Sequence, residues 1–185
     1  MSSVLDHLET LYAHTDDPWH FATSPYEQAK FRATRKALTR DRYRSALEIG
    51  CGNGALARHL APLCDTYTGI DAIERAVIAA RRDVPHAQFL KGVYPCALPV
   101  AAPDLIVLSE VLYFLTPQTI ARLACDLVAT APGAEILCVT YLGETAQALQ
   151  GVDALAAFHS VVPLRRIVDT GTYRIDRGVV GRAVP

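Results

Sequence analysis

The sequence lacks the features that mark several classes of protein. No stretch approaches the ~20 consecutive apolar residues that a membrane helix requires, and residues 1–17 contain no apolar core of signal-peptide length. The net charge is close to zero, with 18 basic and 19 acidic residues, so no overall charge attracts nucleic acid or an anionic membrane. We therefore expect a cytoplasmic protein that binds neither nucleic acid nor membrane.

Cysteine and histidine are also not arranged as metal ligands. The five cysteines are scattered and never occur as C-x-x-C, which argues against a zinc cluster or a disulfide framework and favours buried thiols. The six histidines are not paired at ligand spacing. The sequence thus predicts no metal, and it contains no repeat, low-complexity tract or linker that would divide its 185 residues into several domains.

Two helices are predicted before residue 40. Residues 1–14 place their apolar side chains on one helical face. Ser24 and Pro25 are typical of a helix start, with Glu27 completing a capping box, and this helix is predicted to end near Leu38. Together these helices predict an N-terminal helical lid.

After the lid, short apolar segments alternate with helical patterns. Strands are predicted over 46–49, 67–70, 88–90, 105–108 and 135–140, and helices over 55–63, 74–82, 117–131 and 153–159. Such alternation is typical of an α/β fold with a mostly parallel sheet that is covered on both faces. Two further strands, 164–169 and 173–180, predict a C-terminal antiparallel hairpin at one edge. We expect one domain over 1–185, with the lid at 1–40 and the core at 45–185.

A glycine-rich turn lies between the first predicted strand and the next helix. It runs from Glu48 to Gly54 and contains three glycines, which allow the backbone to turn tightly and to approach a ligand. Asp71 ends the following strand, twenty-one residues after Gly50. A carboxylate there can accept both ribose hydroxyls of a nucleoside that lies across the sheet. The turn and Asp71 together predict a cofactor that contains a nucleoside.

Two cofactors fit this spacing. The glycines also match G-x-G-x-x-A through Ala55, which leaves a nicotinamide dinucleotide open. Glu48 favours S-adenosylmethionine, because a carboxylate is awkward beside a pyrophosphate but useful near the ammonium of a methionine moiety. The 135 residues that follow Gly50 (51–185) also leave little room for a second nucleotide-binding half and a catalytic domain. The intact turn argues against a non-catalytic module that has lost its cofactor site. It gives no information about an acceptor site.

In these motifs the sequence resembles the class I S-adenosylmethionine-dependent methyltransferases, and within them the NodS-like group. The resemblance is carried by 17–21 with 26–28, by 48–54, by 104–115 and by 143–145. It implies a Rossmann-like, seven-stranded sheet of order 3-2-1-4-5-7-6 with the last strand antiparallel. It also implies methylation of a small-molecule acceptor, most directly an amine nitrogen on an aminosugar-like compound, with O-methylation as the alternative.

Position and resemblance together give the expected cofactor-binding residues. They are Trp19, Lys30, Glu48, Gly50, Cys51, Gly52, Asp71, Ala72, Gly92, Val93, Tyr94, Ser109 and Glu110. One departure concerns the adenine, whose amino group often meets an Asp after the third strand in this superfamily. Residues 91–94 contain no carboxylate, so the adenine is expected to rest on the backbone and apolar side chains of 92–94.

The expected catalytic residues are Glu110, His159 and His20. Glu110 directly follows the most apolar strand, His159 ends the late helix and His20 lies in the lid; Glu144 is a further possible base, and a lone histidine is more often structural. We expect the acceptor pocket to combine 19–21, 110–113 and 141–144, with His159 nearby, because segments after neighbouring strands meet at the carboxyl edge.

Three interpretations stay open at this point. Trp19 and Phe21 either close over the site, where an aromatic face attracts a sulfonium, or anchor the lid to the core. Lys30 could reach the cofactor's carboxylate, but a solvated helix lysine is the simpler interpretation. The seven basic residues between 25 and 44 form either a solvated face or a contact for an anionic substrate. Nothing in the sequence indicates an oligomeric state.

Overall fold

The computed structural model describes residues 2–181. Over these residues, the apolar segments form seven strands in a single sheet. Because these segments are rich in residues that suit a strand buried on both faces, they form the centre of the molecule. The strands are β1 Tyr43–Ile49, β2 Cys64–Asp71, β3 Gln88–Lys91, β4 Leu105–Ser109, β5 Glu135–Tyr141, β6 Leu164–Asp169 and β7 Tyr173–Val179.

The strand order is β3-β2-β1-β4-β5-β7-β6. The pairs within β3-β2-β1-β4-β5 are parallel, whereas β7 runs antiparallel to β5 and to β6. The predicted order and the C-terminal hairpin are therefore confirmed. Because β1 and β4 are neighbours, the direction of the winding reverses between them, and ligands of open α/β sheets bind at such a switch point.

The described part of the chain contains six α-helices. They are α1 Ser2–Tyr12, α2 Pro25–Ala37, α3 Ala57–Leu60, α4 Glu74–Asp83, α5 Pro117–Thr130 and α6 Gly151–His159. Side chains of α2, α3 and α4 form one apolar cluster with one face of the sheet, and those of α5 and α6 form a larger cluster with the other face. Over residues 2–181, no helix combines the length and apolar character needed to cross a membrane.

Two elements differ from their predicted bounds. β1 begins at Tyr43 rather than at 46, because Tyr43 is buried and already pairs with Cys64 on β2. The helix predicted over 55–63 is α3 followed by a 3-10 turn over Ala61–Leu63. Pro62 has no backbone N–H to continue the α-helical pattern, so the chain tightens there.

The predicted capping box forms only by half. The Ser24 hydroxyl accepts a hydrogen bond from the Glu27 backbone N–H at 3.3 Å, as expected. The reciprocal bond is absent, because the Ser24 N–H donates to the His20 carbonyl at 2.8 Å. The Glu27 carboxylate instead lies 2.8 Å from the Lys30 ammonium. The interpretation of Glu27 as a cap is therefore corrected, and its side chain belongs to the site described next.

Candidate functional site

The turn after β1 is shaped by hydrogen bonds to the neighbouring strand. The N–H groups of Gly50 and Cys51 both donate to the Ile70 carbonyl, at 2.9 and 3.1 Å. Gly50 has φ +82°, and a Cβ there would lie 2.8 Å from the Ser109 carbonyl oxygen. Gly54 has φ +79° and lies equally close to α4. Only glycine satisfies both the backbone angle and the close packing at these two positions.

Asp71 joins this turn to the end of β2. Its Oδ2 accepts from the Gly52 N–H at 2.9 Å, and its Oδ1 accepts from the Ile73 N–H at 2.9 Å. Burial raises the pKa of this carboxyl group above its ordinary value, and the backbone donors partly offset that effect. The carboxylate is thus fixed at the carboxyl edge of the sheet, beside the glycine turn.

A cavity of about 620 Å³ opens above the carboxyl ends of the parallel strands. Its size is within the range of small-molecule sites. Twelve of the expected cofactor-binding residues line it, namely Trp19, Lys30, Gly50, Cys51, Gly52, Asp71, Ala72, Gly92, Val93, Tyr94, Ser109 and Glu110. Of the thirteen residues expected to bind the cofactor, only Glu48 therefore lies outside this cavity.

The part of the cavity beyond β3 is built from backbone and apolar groups. The Gly92 N–H donates to the Asp71 carbonyl at 2.9 Å, which fixes the start of this segment. Val93 is partly exposed and lines the cavity. The Tyr94 hydroxyl is turned toward α5, where it donates to Asp126 at 2.6 Å. The segment thus presents an apolar surface and Gly92 to the cavity.

Lys30 lies between two carboxylates at the cavity wall. Its ammonium is 2.8 Å from Glu27 Oε2 and 2.8 Å from Glu110 Oε2, and the residue is only 2% exposed. Burial opposes the charge of Lys30, but the two carboxylates outweigh this and raise its pKa. The interpretation of Lys30 as a solvated lysine is wrong, since its ammonium binds these two carboxylates. The Tyr26 ring centroid lies 5.2 Å from the same ammonium.

Glu110 combines an unusual backbone with an incomplete set of hydrogen bonds. Its φ is +50°, a left-handed conformation that is uncommon outside glycine and recurs at functional sites. Its Oε1 is buried and has no hydrogen-bond partner within residues 2–181. Burial raises the pKa of Glu110, while Lys30 acts in the opposite direction. The side chain is therefore an acceptor that the protein itself does not fully satisfy.

Aromatic residues connect the lid to the cavity. The Trp19 ring stacks on Phe21 with centroids 5.5 Å apart and meets Tyr12 edge-on at 5.6 Å. Phe21 in turn packs on Phe31 of α2 at 6.0 Å. Trp19 and Phe21 both line the cavity, and Trp19 remains 41% exposed. Phe21 also packs against the apolar cluster that includes β1 and α3, so it both anchors the lid to the core and lines the cavity, whereas the ring contacts of Trp19 are with residues of the lid.

Glu48 does not line the cavity. It is fully buried, and its Oε2 accepts from the Tyr67 hydroxyl at 2.9 Å. Burial raises the pKa of Glu48 to about 8, with the Tyr67 hydrogen bond acting against the rise. The structure therefore corrects its expected position beside the cofactor, because alternate residues of a strand face opposite sides and Glu48 shares the face that meets Tyr67.

Neither histidine proposed as a base reaches the cavity. His159 is exposed, and its Nδ1 accepts from the Leu164 N–H at 2.9 Å, so it caps the turn after α6. His20 is exposed and has φ +57° in the turn before α2. Both lie outside the residues that line the cavity, and both are removed from the candidate bases. Glu144 does line the cavity and is exposed.

Apart from the two histidines, each of the three segments predicted for the acceptor pocket contributes residues to the cavity. Trp19, Phe21, Glu110, Tyr113 and Tyr141 all line the same cavity. The basic side chains that follow Lys30 are exposed and do not line it, as expected for a solvated face; they are Arg32, Arg35, Lys36 and Arg40.

Several cavity residues are not predicted as site residues, and three of them are Tyr12, Asn53 and Glu27. Tyr12 was interpreted only as part of an apolar helix face, although it is buried against the cofactor turn. Asn53 lies within the glycine motif, and its buried Oδ1 has no hydrogen-bond partner among the described residues. Glu27 was assigned to a cap. The spacing of Glu27 and Lys30, three residues apart on one helix, was the signal that could have linked them.

Metal ligands do not cluster in the described part of the chain. Within residues 2–181, no three His, Cys, Asp or Glu side chains are arranged so that they could hold a metal ion. The cysteines Cys51 and Cys138 are buried free thiols, Cys64 and Cys96 are half-buried, and Cys125 is exposed. The absence of a metal stays a prediction.

Comparison with known sequences points to one family. A family model described as nodulation protein S (NodS) matches residues 4–131. The nodulation protein S of Bradyrhizobium diazoefficiens is 36% identical over 105 residues, which are 54% of this chain and 50% of that protein. That of Sinorhizobium fredii is 31% identical over 113 residues, 59% of this chain and 52% of that protein. The chain thus matches about half the length of these curated relatives.

Solved structures share the fold. The N-methyltransferase NodS of Bradyrhizobium japonicum WM9, in complex with S-adenosyl-L-homocysteine, superposes with a TM-score of 0.83 at 22% identity, covering 97% of this chain and 99% of that one. Human N-acetylserotonin methyltransferase, in complex with S-adenosylmethionine, gives 0.68 at 19% identity over 95% of this chain and 59% of that one. These similarities establish the Rossmann-like fold of the class I methyltransferases.

Proposed function

Because this chain belongs to the NodS family, we propose that it is an S-adenosylmethionine-dependent methyltransferase whose acceptor is an amine nitrogen of a small, aminosugar-like molecule. The observation that carries the proposal is the charge of the cavity. Among the described residues that line it, four are carboxylates, namely Glu27, Asp71, Glu110 and Glu144, and Lys30 is the single Lys or Arg. Such a lining favours cationic ligands.

The residues at the turn fit this cofactor. Gly50 and Gly52 allow a ligand to approach the backbone, and Asp71 offers acceptors to the ribose hydroxyls. The apolar surface at 92–94 suits the adenine ring. The unpartnered oxygen of Asn53 would accept a hydrogen bond that the protein leaves unmade. When bound, the cofactor supplies an electrophilic methyl group on a sulfonium, so catalysis depends chiefly on positioning the acceptor.

A nicotinamide dinucleotide fits less well. Its pyrophosphate is normally bound by the N-terminus of the helix that follows the glycine turn. Here that helix is α3, which has only four residues, so its dipole is weak. Lys30, the single Lys or Arg in the described lining, is already ion-paired with two carboxylates. The other basic side chain in the described lining is the exposed His7, and one imidazole would not offset two phosphate charges.

An amine acceptor is favoured over a hydroxyl by Glu110. A nitrogen acceptor gains positive charge as it is methylated, and a carboxylate nearby stabilises that charge. A hydroxyl is a much weaker acid than an ammonium, so the carboxylates and His7 that line the cavity are less suited to remove its proton. The partners that we propose are therefore the cofactor and a small amine, with neither nucleic acid nor membrane involved.

Thermal unfolding with competing ligands tests this proposal. S-adenosylhomocysteine should raise the melting temperature, since a ligand at a hundredfold excess over its Kd stabilises the native state by about 2.7 kcal/mol. NAD and NADP should leave it unchanged. Amine, sugar and phenol acceptors are then screened with S-adenosylmethionine for release of S-adenosylhomocysteine. A shift with NAD and none with S-adenosylhomocysteine would contradict the proposal.

A further inference from the structure

We infer that Glu27, Lys30 and Glu110 form one recognition group that selects a protonated amine, in preference to an amide or a hydroxyl of the same shape, as the methyl acceptor. The inference rests on the proposed methyl transfer and specifies how its acceptor is chosen. Glu110 is assigned the contact with the amine, and Glu27 and Lys30 are positioning residues.

The charge of this group is unbalanced. Lys30 lies 2.8 Å from a carboxylate oxygen of each glutamate, so one positive charge serves two negative ones. A buried excess charge is costly unless a partner of opposite sign approaches it. Within the described lining of the cavity, Lys30 is the sole Lys or Arg. The missing positive charge can therefore come from a ligand in the cavity.

A purely structural ion pair elsewhere in the molecule shows the difference. Arg174 and Asp176 of β7 form two hydrogen bonds, at 2.5 and 2.7 Å, which use both carboxylate oxygens. Glu110 uses only Oε2, and its buried Oε1 has no hydrogen-bond partner within residues 2–181. Glu48 also keeps a buried oxygen without a partner among the described residues, but of these two glutamates only Glu110 lines the cavity.

Lys30 fixes the position of the Glu110 carboxylate. The Glu110 backbone is in a left-handed conformation, with its N–H bonded to the Val139 carbonyl at 2.9 Å, so the side chain leaves β4 in a defined direction. Lys30 meets it from α2, and the Tyr26 ring lies beside the ammonium. Tyr113 lines the cavity near the same carboxylates. The remaining approach to Glu110 is from the cavity.

Glu110 can also prepare the amine for reaction. An ammonium has no lone pair, so one N–H bond must break before it attacks. The proton passes to the Glu110 carboxylate, and the electron pair of that bond stays on nitrogen as its lone pair. Burial, which raises the pKa of Glu110, brings its proton affinity closer to that of an amine. An amide nitrogen or a hydroxyl carries no such extra proton.

The test compares two probes that differ only at one nitrogen. Calorimetry measures the affinity of D-glucosamine and of N-acetyl-D-glucosamine for the full chain saturated with S-adenosylhomocysteine, at a pH that keeps the amine protonated. The wild type is expected to bind D-glucosamine more tightly by about tenfold or more, the range of one charge-assisted hydrogen bond. The affinity ratio is informative because a loss of structure would weaken both probes together.

Three isosteric variants assign the preference to its residues. Glu110→Gln is expected to remove most of the preference, and Glu27→Gln to reduce it by about threefold, since Glu27 acts through Lys30. Glu74→Gln is the matched control, because Glu74 is an exposed glutamate outside the cavity that pairs with Arg81. It makes the same change in net charge and should leave the affinity ratio unaltered.

The outcomes separate this inference from the proposed function. If the wild type binds S-adenosylhomocysteine but does not favour D-glucosamine, including the case in which neither sugar binds, the inference is overturned and the methyltransferase proposal stands. The same holds if Glu110→Gln keeps the full preference. If S-adenosylhomocysteine itself does not bind, the proposed function fails.

Discussion

Buried polar side chains lie at both ends of the parallel strands, which form the amino edge and the carboxyl edge of the sheet. Their hydrogen-bonding groups are satisfied to different degrees at the two ends. At the amino edge, Glu135 accepts from the Thr39 N–H at 3.0 Å and from the Tyr43 hydroxyl at 2.6 Å, so both carboxylate oxygens are used. At the carboxyl edge, Glu110 and Asn53 each keep one buried oxygen without a partner among the described residues. Polar groups at the amino edge thus stabilise the fold, whereas those at the carboxyl edge are left available to a ligand.

The largest effect, on the free energy of unfolding, is expected when the hydrogen bonds at the amino edge are removed. Glu135→Ala leaves the buried Tyr43 hydroxyl and the donors of the exposed Thr39 without their acceptor. We expect the free energy of unfolding to fall by about 3 kcal/mol, because several hydrogen bonds to a charged acceptor are lost and one buried donor is left unsatisfied. Urea denaturation measures it. A loss below about 1 kcal/mol would show that the amino edge is not a stabilising network.

A smaller effect, on binding rather than folding, is expected at the ligand edge. Asp71→Ala removes the carboxylate proposed to accept the ribose hydroxyls, and S-adenosylhomocysteine affinity should fall by about a hundredfold. The free energy of unfolding should change less than in Glu135→Ala. Asp71→Asn is the control, because its side-chain oxygen can still accept the Gly52 N–H. Unchanged affinity in Asp71→Ala would mean that the ribose lies elsewhere.

The smallest effect, counted per pH unit, concerns the buried Glu48. Its pKa in the folded chain is about 8, above the ordinary 4.5, so the folded state retains a proton that the unfolded state loses. Its stabilising effect is therefore full below pH 4.5 and is lost as the pH rises toward 8. We expect the free energy of unfolding to fall by about 1.4 kcal/mol for each pH unit within this window, because the two states differ there by one bound proton.

Glu48→Gln is the matched variant, because its neutral amide imitates the protonated acid. Denaturation curves measured from pH 5 to pH 8 should show a shallower decline in this variant than in the wild type. Parallel declines in the two proteins would indicate that Glu48 is ionised in the folded state. The buried carboxyl group of β1 would then be charged, like those that line the cavity.

Features of the fold that depend on local sequence could be predicted. The apolar strands, the glycine turn and Asp71 each depend on residue types at short spacing, and the strand order followed from the family resemblance. The Lys30–Glu110 pair could not be predicted in this way, because its members are eighty residues apart. Their meeting requires α2 to cross the end of β4, and the helix sequence alone allows Lys30 to be solvated.

The wrong predictions for His159 and Glu48 arise because a residue's position along the chain does not by itself fix the direction of its side chain. His159 was placed near the acceptor because it ends α6, but the position of a helix end does not fix where its side chain points. The imidazole turns back to the Leu164 N–H. Glu48 was placed by its distance from Gly50 along the chain, although the alternation of side chains along β1 decides its face.

The lid also gives this protein an optical signal of its own. The sequence contains one tryptophan, and it is Trp19, which stacks on Phe21 at the cavity wall and is 41% exposed. Its indole fluorescence therefore arises from a single position, beside the proposed sites of both cofactor and acceptor. Any ligand that excludes water from this ring would shift its emission toward shorter wavelengths, so binding can be followed without a label.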